Sequence, residues 1–221
     1  PTKVARDPPD YFSETGQLCG NPIYDWEAHE NENYAWWTKR LEDALATYDI
    51  VRIDHFRGID RYYEIPAFAE TAVKGECQTG PGAKLFSNIK AEGRIIAEDL
   101  GIIDEGVTAL RDKLGFPGMK VLLFAFDGNE NNDFLPKNIG ENSVCYTGTH
   151  DNDTVAGYVG TLATEEFLLF RSRVAQVLQE EGIYVRLGEK PQEFSQAFCR
   201  LALESKARLA VLPMQDILGL G

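Results

Sequence analysis

The sequence lacks the features that mark a membrane, secreted or disulfide-bonded protein. Its longest apolar runs, such as residues 121–126, are far too short to cross a bilayer. The first residues (PTKVARD) hold no apolar signal-peptide core and no initiator methionine, so we expect this start to be internal to a longer natural chain. No CxxC pair occurs, and the widely spaced cysteines are typical of reduced thiols in a cytoplasmic protein: Cys19, Cys77, Cys145 and Cys199.

Histidine and positive charge are also scarce, which narrows the choice of ligand. The three histidines stand in no ligand spacing with the cysteines, so we expect no zinc site and no other metal. The formal net charge of −13 argues against nucleic acid or an anionic membrane as a partner, because phosphate would be repelled over the whole surface. Solubility is the simpler explanation of that charge, which is also compatible with a neutral substrate such as a sugar.

Five short apolar runs alternate with segments of helical spacing. Runs of this length, rich in Val, Ile and Leu, predict buried strands at residues 48–54, 93–99, 119–126, 143–147 and 208–213. Helices are predicted at residues 33–47, 104–114, 164–181 and 191–207. The alternation predicts an α/β fold with a parallel sheet. In such folds the chemistry gathers at the C-terminal strand ends, most clearly in the eight-stranded (β/α) barrel.

Arg52 and Asp54 lie two residues apart at the end of the first predicted strand. Their side chains therefore leave the same face, and the arginine can hold the carboxylate ionised. A structural ion pair is the alternative for any isolated Arg-x-Asp. The surrounding polar run, RIDHFRG at residues 52–58, favours a functional role.

Polar residues also follow the second and fourth predicted strands. Desolvation by apolar neighbours would favour the protonated form of Glu98 and suit a general acid, although Glu98 could also simply begin a solvated loop. Residues 149–154 (THDNDT) allow three interpretations: a helix N-cap cluster, a hard-cation site or a clamp on sugar hydroxyls. Capping leaves His150 and Asp151 unexplained, and the acidic residues lack the spacing of a calcium loop.

Asp54, Glu98 and Asp151 form a set of three strand-end carboxylates. Retaining cleavage of a glycosidic bond needs a nucleophile and an acid/base roughly 5 Å apart. A third carboxylate can grip substrate hydroxyls more tightly in the transition state. The pattern fits this chemistry better than Ser/His/Asp catalysis, because the sequence contains no G-x-S-x-G run.

Several segments together resemble the amylomaltases, the 4-α-glucanotransferases of the wider α-amylase clan (glycoside hydrolase family 77). They are PPDYFSETGQ at residues 8–17, RIDHFRG at 52–58, AEDLG at 97–101, THDNDT at 149–154 and QDILGLG at 215–221. The resemblance implies a partial (β/α)8 barrel. Residues 1–221 would be the C-terminal part of one catalytic domain, with roughly its fourth to eighth strands; the first strands and a C-terminal tail would lie outside this chain.

The resemblance also implies a role for each site residue. Asp54 would attack the anomeric carbon, Glu98 would protonate the leaving oxygen, and Asp151 would stabilise the transition state. The residues expected to orient the nucleophile or hold the glucan are Arg52, His55, Asp127, His150, Asn152, Tyr11 and Phe12. The partners would be maltooligosaccharides and α-1,4-glucans. No cofactor is needed, because the same two carboxylates serve both halves of the reaction.

Alternatives to this function stay open. Cys19 and Cys77 stand where the family usually has tryptophan, which removes apolar contact area for an acceptor sugar. An α-glucan hydrolase is the rival activity, and shielding of the intermediate by Tyr11 and Phe12 would favour transfer instead. The chain could also be a catalytically inactive fragment, or could self-associate through the open edges of an incomplete barrel.

Overall fold

The structure is a computed structural model that describes residues 3–5, 21–69, 73, 75–91, 93–101 and 104–221. The chain divides into two compact units, residues 1–116 and 117–221. Tyr11, Phe12 and Cys19 lie outside the described residues. No helix in the described ranges has both the length and the apolar character needed to span a bilayer.

The first unit combines a parallel strand pair with an antiparallel sheet. Its elements are β1 (Lys3–Ala5), α1 (Trp26–Asn31), α2 (Ala35–Thr47), β2 (Val51–Ile53), α3 (Arg57–Asp60), β3 (Arg61–Pro66), β4 (Glu76–Thr79), β5 (Ile95–Ala97) and α4 (Glu105–Leu114). β2 and β5 are parallel neighbours, whereas β1, β3 and β4 form an antiparallel sheet in the order β1-β3-β4. The buried rings of Phe56, Phe86 and Phe116 pack together in the core of this unit.

The second unit is a parallel sheet with helices. Its elements are β6 (Gly118–Val121), β7 (Ser143–Tyr146), α5 (Val155–Thr161), α6 (Thr164–Glu180), α7 (Pro191–Glu204), β8 (Leu209–Val211) and α8 (Met214–Leu218). The strands lie in the order β6-β7-β8, and both pairings are parallel. The core of this unit holds the buried rings of Phe126, Phe170, Phe194 and Phe198.

These elements confirm the α/β class and all five predicted strands, with three corrections. The strand predicted at 119–126 ends at Val121, because Leu122–Phe124 forms a 3₁₀ turn that keeps Leu122 fully buried. The last long helix ends at Glu204 and not at residue 207, because Ser205 adopts an extended backbone. The antiparallel sheet was not predicted at all, because its strands carry mixed polar and apolar residues.

Phe198 offers a direct test of the core in the second unit. Its ring is fully buried, with centroids 5.1 Å from Phe126 and 6.2 Å from Phe170. We expect Phe198→Ala to lower the free energy of unfolding by about 3–5 kcal/mol, measured by urea unfolding. Leu203→Ala on the same helix is the control, since that side chain is 61% exposed and its loss should cost less than about 0.5 kcal/mol. Equal losses for the two variants would contradict this description of the core.

Candidate active site

Asp54 and Glu98 occupy equivalent positions, each directly after one strand of the parallel pair. Ile53 lies opposite Ala97 in the ladder, and the pairing continues as the Glu98 N–H donates to the Ile53 carbonyl at 2.9 Å. The Phe56 N–H then donates to the Glu98 carbonyl at 3.0 Å. Because neighbouring strands lie about 4.8 Å apart, the sheet itself brings these two carboxyl-bearing residues side by side.

Arg52 holds the Asp54 carboxylate. Its Nη2 donates to Asp54 Oδ1 at 2.5 Å, and the Asp54 side chain is otherwise 76% exposed. A charge-assisted bond of this kind fixes the direction of one carboxylate oxygen and leaves the other accessible. The expected contact between these two residues is therefore present, with the carboxylate open to solvent.

Backbone amides hold both oxygens of Glu98. The His55 N–H donates to Oε2 and the Leu100 N–H donates to Oε1, each at 2.8 Å. Ile95–Ala97 before it are buried, as the sequence predicts, and the Glu98 residue itself is half-buried. The two amides fix the direction of the carboxylate and occupy one acceptor site on each of its oxygens.

His55 adopts an unusual backbone conformation at this point. Its φ of 48° lies in the left-handed region, which is uncommon for residues other than glycine and is frequent at functional sites. From this conformation its N–H reaches Glu98. Gly58 leaves room for the imidazole, since a Cβ at that position would lie 3.1 Å from His55 Cδ2.

A cavity of about 490 Å³ opens beside these residues within the first unit. Arg52, Asp54 and His55 form a polar part of its lining. The remaining lining is largely apolar and aromatic, with Tyr24, Trp26 and Trp37 among its residues, and Arg40 lies 5.3 Å above the Trp37 ring. The strand-end pattern in the sequence does not identify these aromatic residues as part of a site. The available signal was their density, since residues 24–37 contain all three tryptophans of the chain.

In the second unit, His150 and Asp151 extend from the loop between β7 and α5. Both side chains are 75% exposed, and His150 Nε2 lies 3.5 Å from Asp151 Oδ2. Thr154 caps α5, since its Oγ1 accepts from the Gly157 N–H at 2.9 Å. The capping interpretation thus holds for Thr154 and leaves the exposed imidazole–carboxylate pair available for a ligand.

Asn152 orders the same loop from within. Its Oδ1 accepts from the Thr149 N–H at 3.0 Å and from the Thr149 hydroxyl at 2.9 Å. The Asn152 N–H donates back to the Thr149 carbonyl at 3.1 Å. The side-chain oxygen of Asn152 is therefore engaged in shaping the loop, which limits what it can offer a sugar.

Asp127 lies in a separate turn of the second unit, further from its strand than the sequence predicts. β6 ends at Val121, and Asp127 is exposed, with Oδ1 accepting from the Asn129 N–H at 2.8 Å. Arg173 Nη1 supports the turn by donating to the Phe126 carbonyl at 2.9 Å. The turn is ordered and presents a carboxylate to solvent.

The structure thus gathers Arg52, Asp54, His55 and Glu98 at one sheet end of the first unit. The second unit places His150, Asp151 and Asn152 in one loop. Within the described part of the chain, no group of three or more His, Cys, Asp or Glu side chains is arranged to hold a metal ion.

Comparison with known proteins identifies similar sequences over the whole chain. The profile of the 4-alpha-glucanotransferase family, glycoside hydrolase family 77, matches residues 5–221. The chain is 49% identical over 226 residues to a 4-alpha-glucanotransferase of Thermus thermophilus, covering 100% of this chain and 44% of that protein. It is 46% identical over 224 residues to a chloroplastic/amyloplastic 4-alpha-glucanotransferase of Arabidopsis thaliana, covering 100% of this chain and 37% of that protein. The chain therefore spans less than half the length of these curated relatives.

Solved structures agree with the sequence relatives. The amylomaltase from Streptococcus agalactiae in complex with acarbose matches with a TM-score of 0.85 and 35% identity, over 100% of this chain and 43% of that one. The amylomaltase from Corynebacterium glutamicum matches with a TM-score of 0.77 over 96% of this chain and 34% of that one. Its identity is 18%, so that likeness concerns the fold alone.

Proposed function

The chain belongs to the 4-alpha-glucanotransferase family, and from that premise we propose that it carries the reacting carboxylates of a retaining enzyme that moves α-1,4-glucan segments between maltooligosaccharide or starch and glycogen chains. The observation that carries this proposal is the pairing of Asp54 and Glu98 at matched positions after two parallel strands. Strand spacing of about 4.8 Å is of the order that retaining glycosidases need between their carboxyl groups.

In the first half of the reaction, Asp54 is the nucleophile. One of its oxygens attacks the anomeric carbon of the donor glucan, and the bond from that carbon to the leaving 4-oxygen breaks. Glu98 gives its proton to the leaving oxygen, so the shortened glucan departs as an alcohol. Arg52 supports this role, because its bond to Oδ1 keeps the carboxylate directed while the second oxygen stays accessible.

In the second half, Glu98 is the base. The 4-hydroxyl of an acceptor glucan gives its proton to the Glu98 carboxylate and attacks the anomeric carbon. The ester bond to Asp54 breaks and the α-linkage is restored. The amides of His55 and Leu100 support this step, because their bonds to the two carboxylate oxygens fix the direction of Glu98.

The other site residues would serve the transition state and the bound glucan. We propose that Asp151, paired with His150, stabilises the oxocarbenium-like transition state, which is supported by its exposed carboxylate after β7. Sugar hydroxyls would be held by His55, Asp127 and the side-chain NH₂ of Asn152, since the Asn152 oxygen bonds within the loop, and glucan rings by Tyr11 and Phe12. An oligosaccharide ligand is consistent with the Streptococcus agalactiae relative, which was solved in complex with acarbose.

The finer fold assignment belongs to the same proposal. We propose that the five strands that form parallel pairs are part of a (β/α)8 barrel, roughly its fourth to eighth strands. They are β2, β5, β6, β7 and β8. Parallel pairing within each unit and the carboxylates directly after β2 and β5 support this. The cytoplasmic location stays a prediction, since the names of the plant relatives place those proteins in plastids.

One alternative also has structural support, namely that this stretch of chain is inactive by itself. It spans 44% of the Thermus thermophilus relative. Among the described residues β2 pairs only with β5, and all three of its residues line the cavity. Self-association through the other edge of β2 would appear as a molecular mass that rises with protein concentration.

Incubation of this chain with maltotriose tests the proposal. We expect glucose, maltose and longer maltooligosaccharides, separated by chain length, and we expect Asp54→Asn to produce none of them. Products no longer than maltotriose, with glucose and maltose in equal amounts, would indicate a hydrolase. If the unmodified chain makes no product, this would favour the alternative that the stretch is inactive by itself.

A further inference from the structure

A buried carboxylate in the second unit joins the two ends of the loop that carries His150 and Asp151. Asp216 is only 1% exposed. Its Oδ2 accepts from the Thr147 hydroxyl at 2.5 Å, and its Oδ1 accepts from the Val155 N–H at 2.8 Å. Thr147 directly follows β7, and Val155 is the first residue of α5. One side chain therefore bonds to both ends of residues 148–154.

The burial of this charge needs an explanation beyond packing. Asp216 is the one buried residue of α8, all of whose residues the structure describes, while the apolar Met214, Ile217 and Leu218 of that helix are exposed. A helix held only by hydrophobic contact would bury the apolar residues and expose the carboxylate. Burying a carboxylate is costly unless its oxygens are hydrogen-bonded, and here each oxygen has a donor.

The donors lie where they constrain the loop most. The Val155 N–H belongs to the first turn of α5, where amides have no partner within the helix, and the helix N-terminus favours a negative charge. The Thr147 hydroxyl lies at the end of the sheet and is fully buried. The bonds between Asn152 and Thr149 shape the middle of the loop, and Thr154 joins the end of the loop to α5 by accepting from the Gly157 N–H. Asp216 differs from both, because it bonds to the strand end and to the first residue of the helix at once.

We propose that Asp216 is a positioning residue for transition-state stabilisation, fixing the loop from which His150 and Asp151 meet the substrate. The inference rests on the proposed role of Asp151. It predicts that Asp216 acts through the loop backbone, without touching the substrate. Its removal should therefore loosen residues 148–155 while the rest of the second unit stays folded.

Amide hydrogen exchange of this chain tests the structural part with four variants. Asp216→Leu keeps the approximate shape and removes both bonds, so we expect the Val155 amide to exchange at least about tenfold faster. Asp216→Asn still offers an oxygen to Val155 and an NH₂ to the Thr147 oxygen, so exchange should stay within about threefold of the parent. Thr147→Val should give an intermediate result. Gln215→Leu, an exposed neighbour on α8, is the control and should change nothing.

Two results of the exchange experiment would overturn the proposal. One is an unchanged Val155 exchange rate in Asp216→Leu. The other is faster exchange spread evenly over residues 117–221, which would assign Asp216 a general structural role.

Transfer kinetics with maltotriose test the functional part. We expect Asp216→Leu to lower kcat by about 10²-fold with little change in KM, because misplacing a group that acts in the transition state affects kcat. Asp216→Asn should restore most of the activity. An unchanged kcat in a variant with a loosened loop would overturn the positioning role. If the unmodified chain makes no product, the proposed function fails for this chain, while the exchange experiment still decides the role of Asp216.

Discussion

Asp54→Asn is expected to abolish transfer from maltotriose, with a rate loss of about 10⁴-fold or more, as for removal of other catalytic nucleophiles. The amide keeps the size of the carboxylate and can still accept a hydrogen bond from Arg52. Its neutral oxygen is a much weaker nucleophile, so the glycosyl-enzyme ester cannot form at a useful rate. The measurement is the initial rate of glucose release from maltotriose, compared with the unmodified chain.

The control for this variant is Asp49→Asn. Asp49 is an exposed carboxylate near the opposite end of the same strand, so it carries the same change in charge away from the site. Because the Asp54 side chain is 76% exposed, neither variant should shift the urea unfolding midpoint appreciably. Near-normal transfer by Asp54→Asn would mean that another residue is the nucleophile.

Glu98→Gln is expected to lower transfer by about 10²–10⁴-fold, the range associated with loss of a general acid/base. The loss should depend on the leaving group, which separates this variant from Asp54→Asn. An α-maltotriosyl fluoride donor needs no protonation of its leaving group, so it should restore the first half of the reaction for Glu98→Gln only. The measurement is fluoride release in a single turnover.

Glutamine also changes the local hydrogen bonds, so the stability of this variant must be measured as a control. Its one side-chain oxygen can replace only one of the two Glu98 acceptors, so either the His55 or the Leu100 N–H loses its partner. A lost partner for a buried amide costs up to about 1–3 kcal/mol, and less at this half-buried position, so urea unfolding must accompany the kinetics. Glu105→Gln, an exposed carboxylate in the first turn of α4, is the matched control. If Glu98→Gln lowers the rate by the same factor with maltotriose and with α-maltotriosyl fluoride, Glu98 is not the general acid.

Local chemistry made some parts of the fold predictable from the sequence. The ends of α4 are confirmed, because Asp104 accepts from the Gly106 and Val107 amides and Gly115 adopts the left-handed conformation with φ 68°. Strand lengths were overestimated, because an apolar run such as 119–126 is buried equally well as a strand followed by a turn. The pattern of burial is visible in the sequence, whereas the hydrogen-bond partner that defines a strand is not.

The candidate site was likewise only partly predictable from the sequence. The placement of Asp54 and Glu98 followed from parallel strands alone, since the ends of such strands meet at one edge. The contact between the His55 amide and Glu98 could not be predicted, because it depends on the left-handed backbone of His55. The anchoring of the β7–α5 loop by Asp216 was also hidden, because Asp216 and Val155 are far apart in the sequence.

The most direct measurement is to locate the covalent intermediate. Glu98→Gln would be incubated with α-maltotriosyl fluoride, quenched in acid, digested and examined by mass spectrometry. Without its acid/base the second half of the reaction should be slow, so the intermediate should accumulate. The account predicts a maltotriosyl ester on the peptide that contains Asp54, and no such adduct when Asp54→Asn is added to the variant. An ester on another residue, or complete turnover of the donor without any ester, would contradict it.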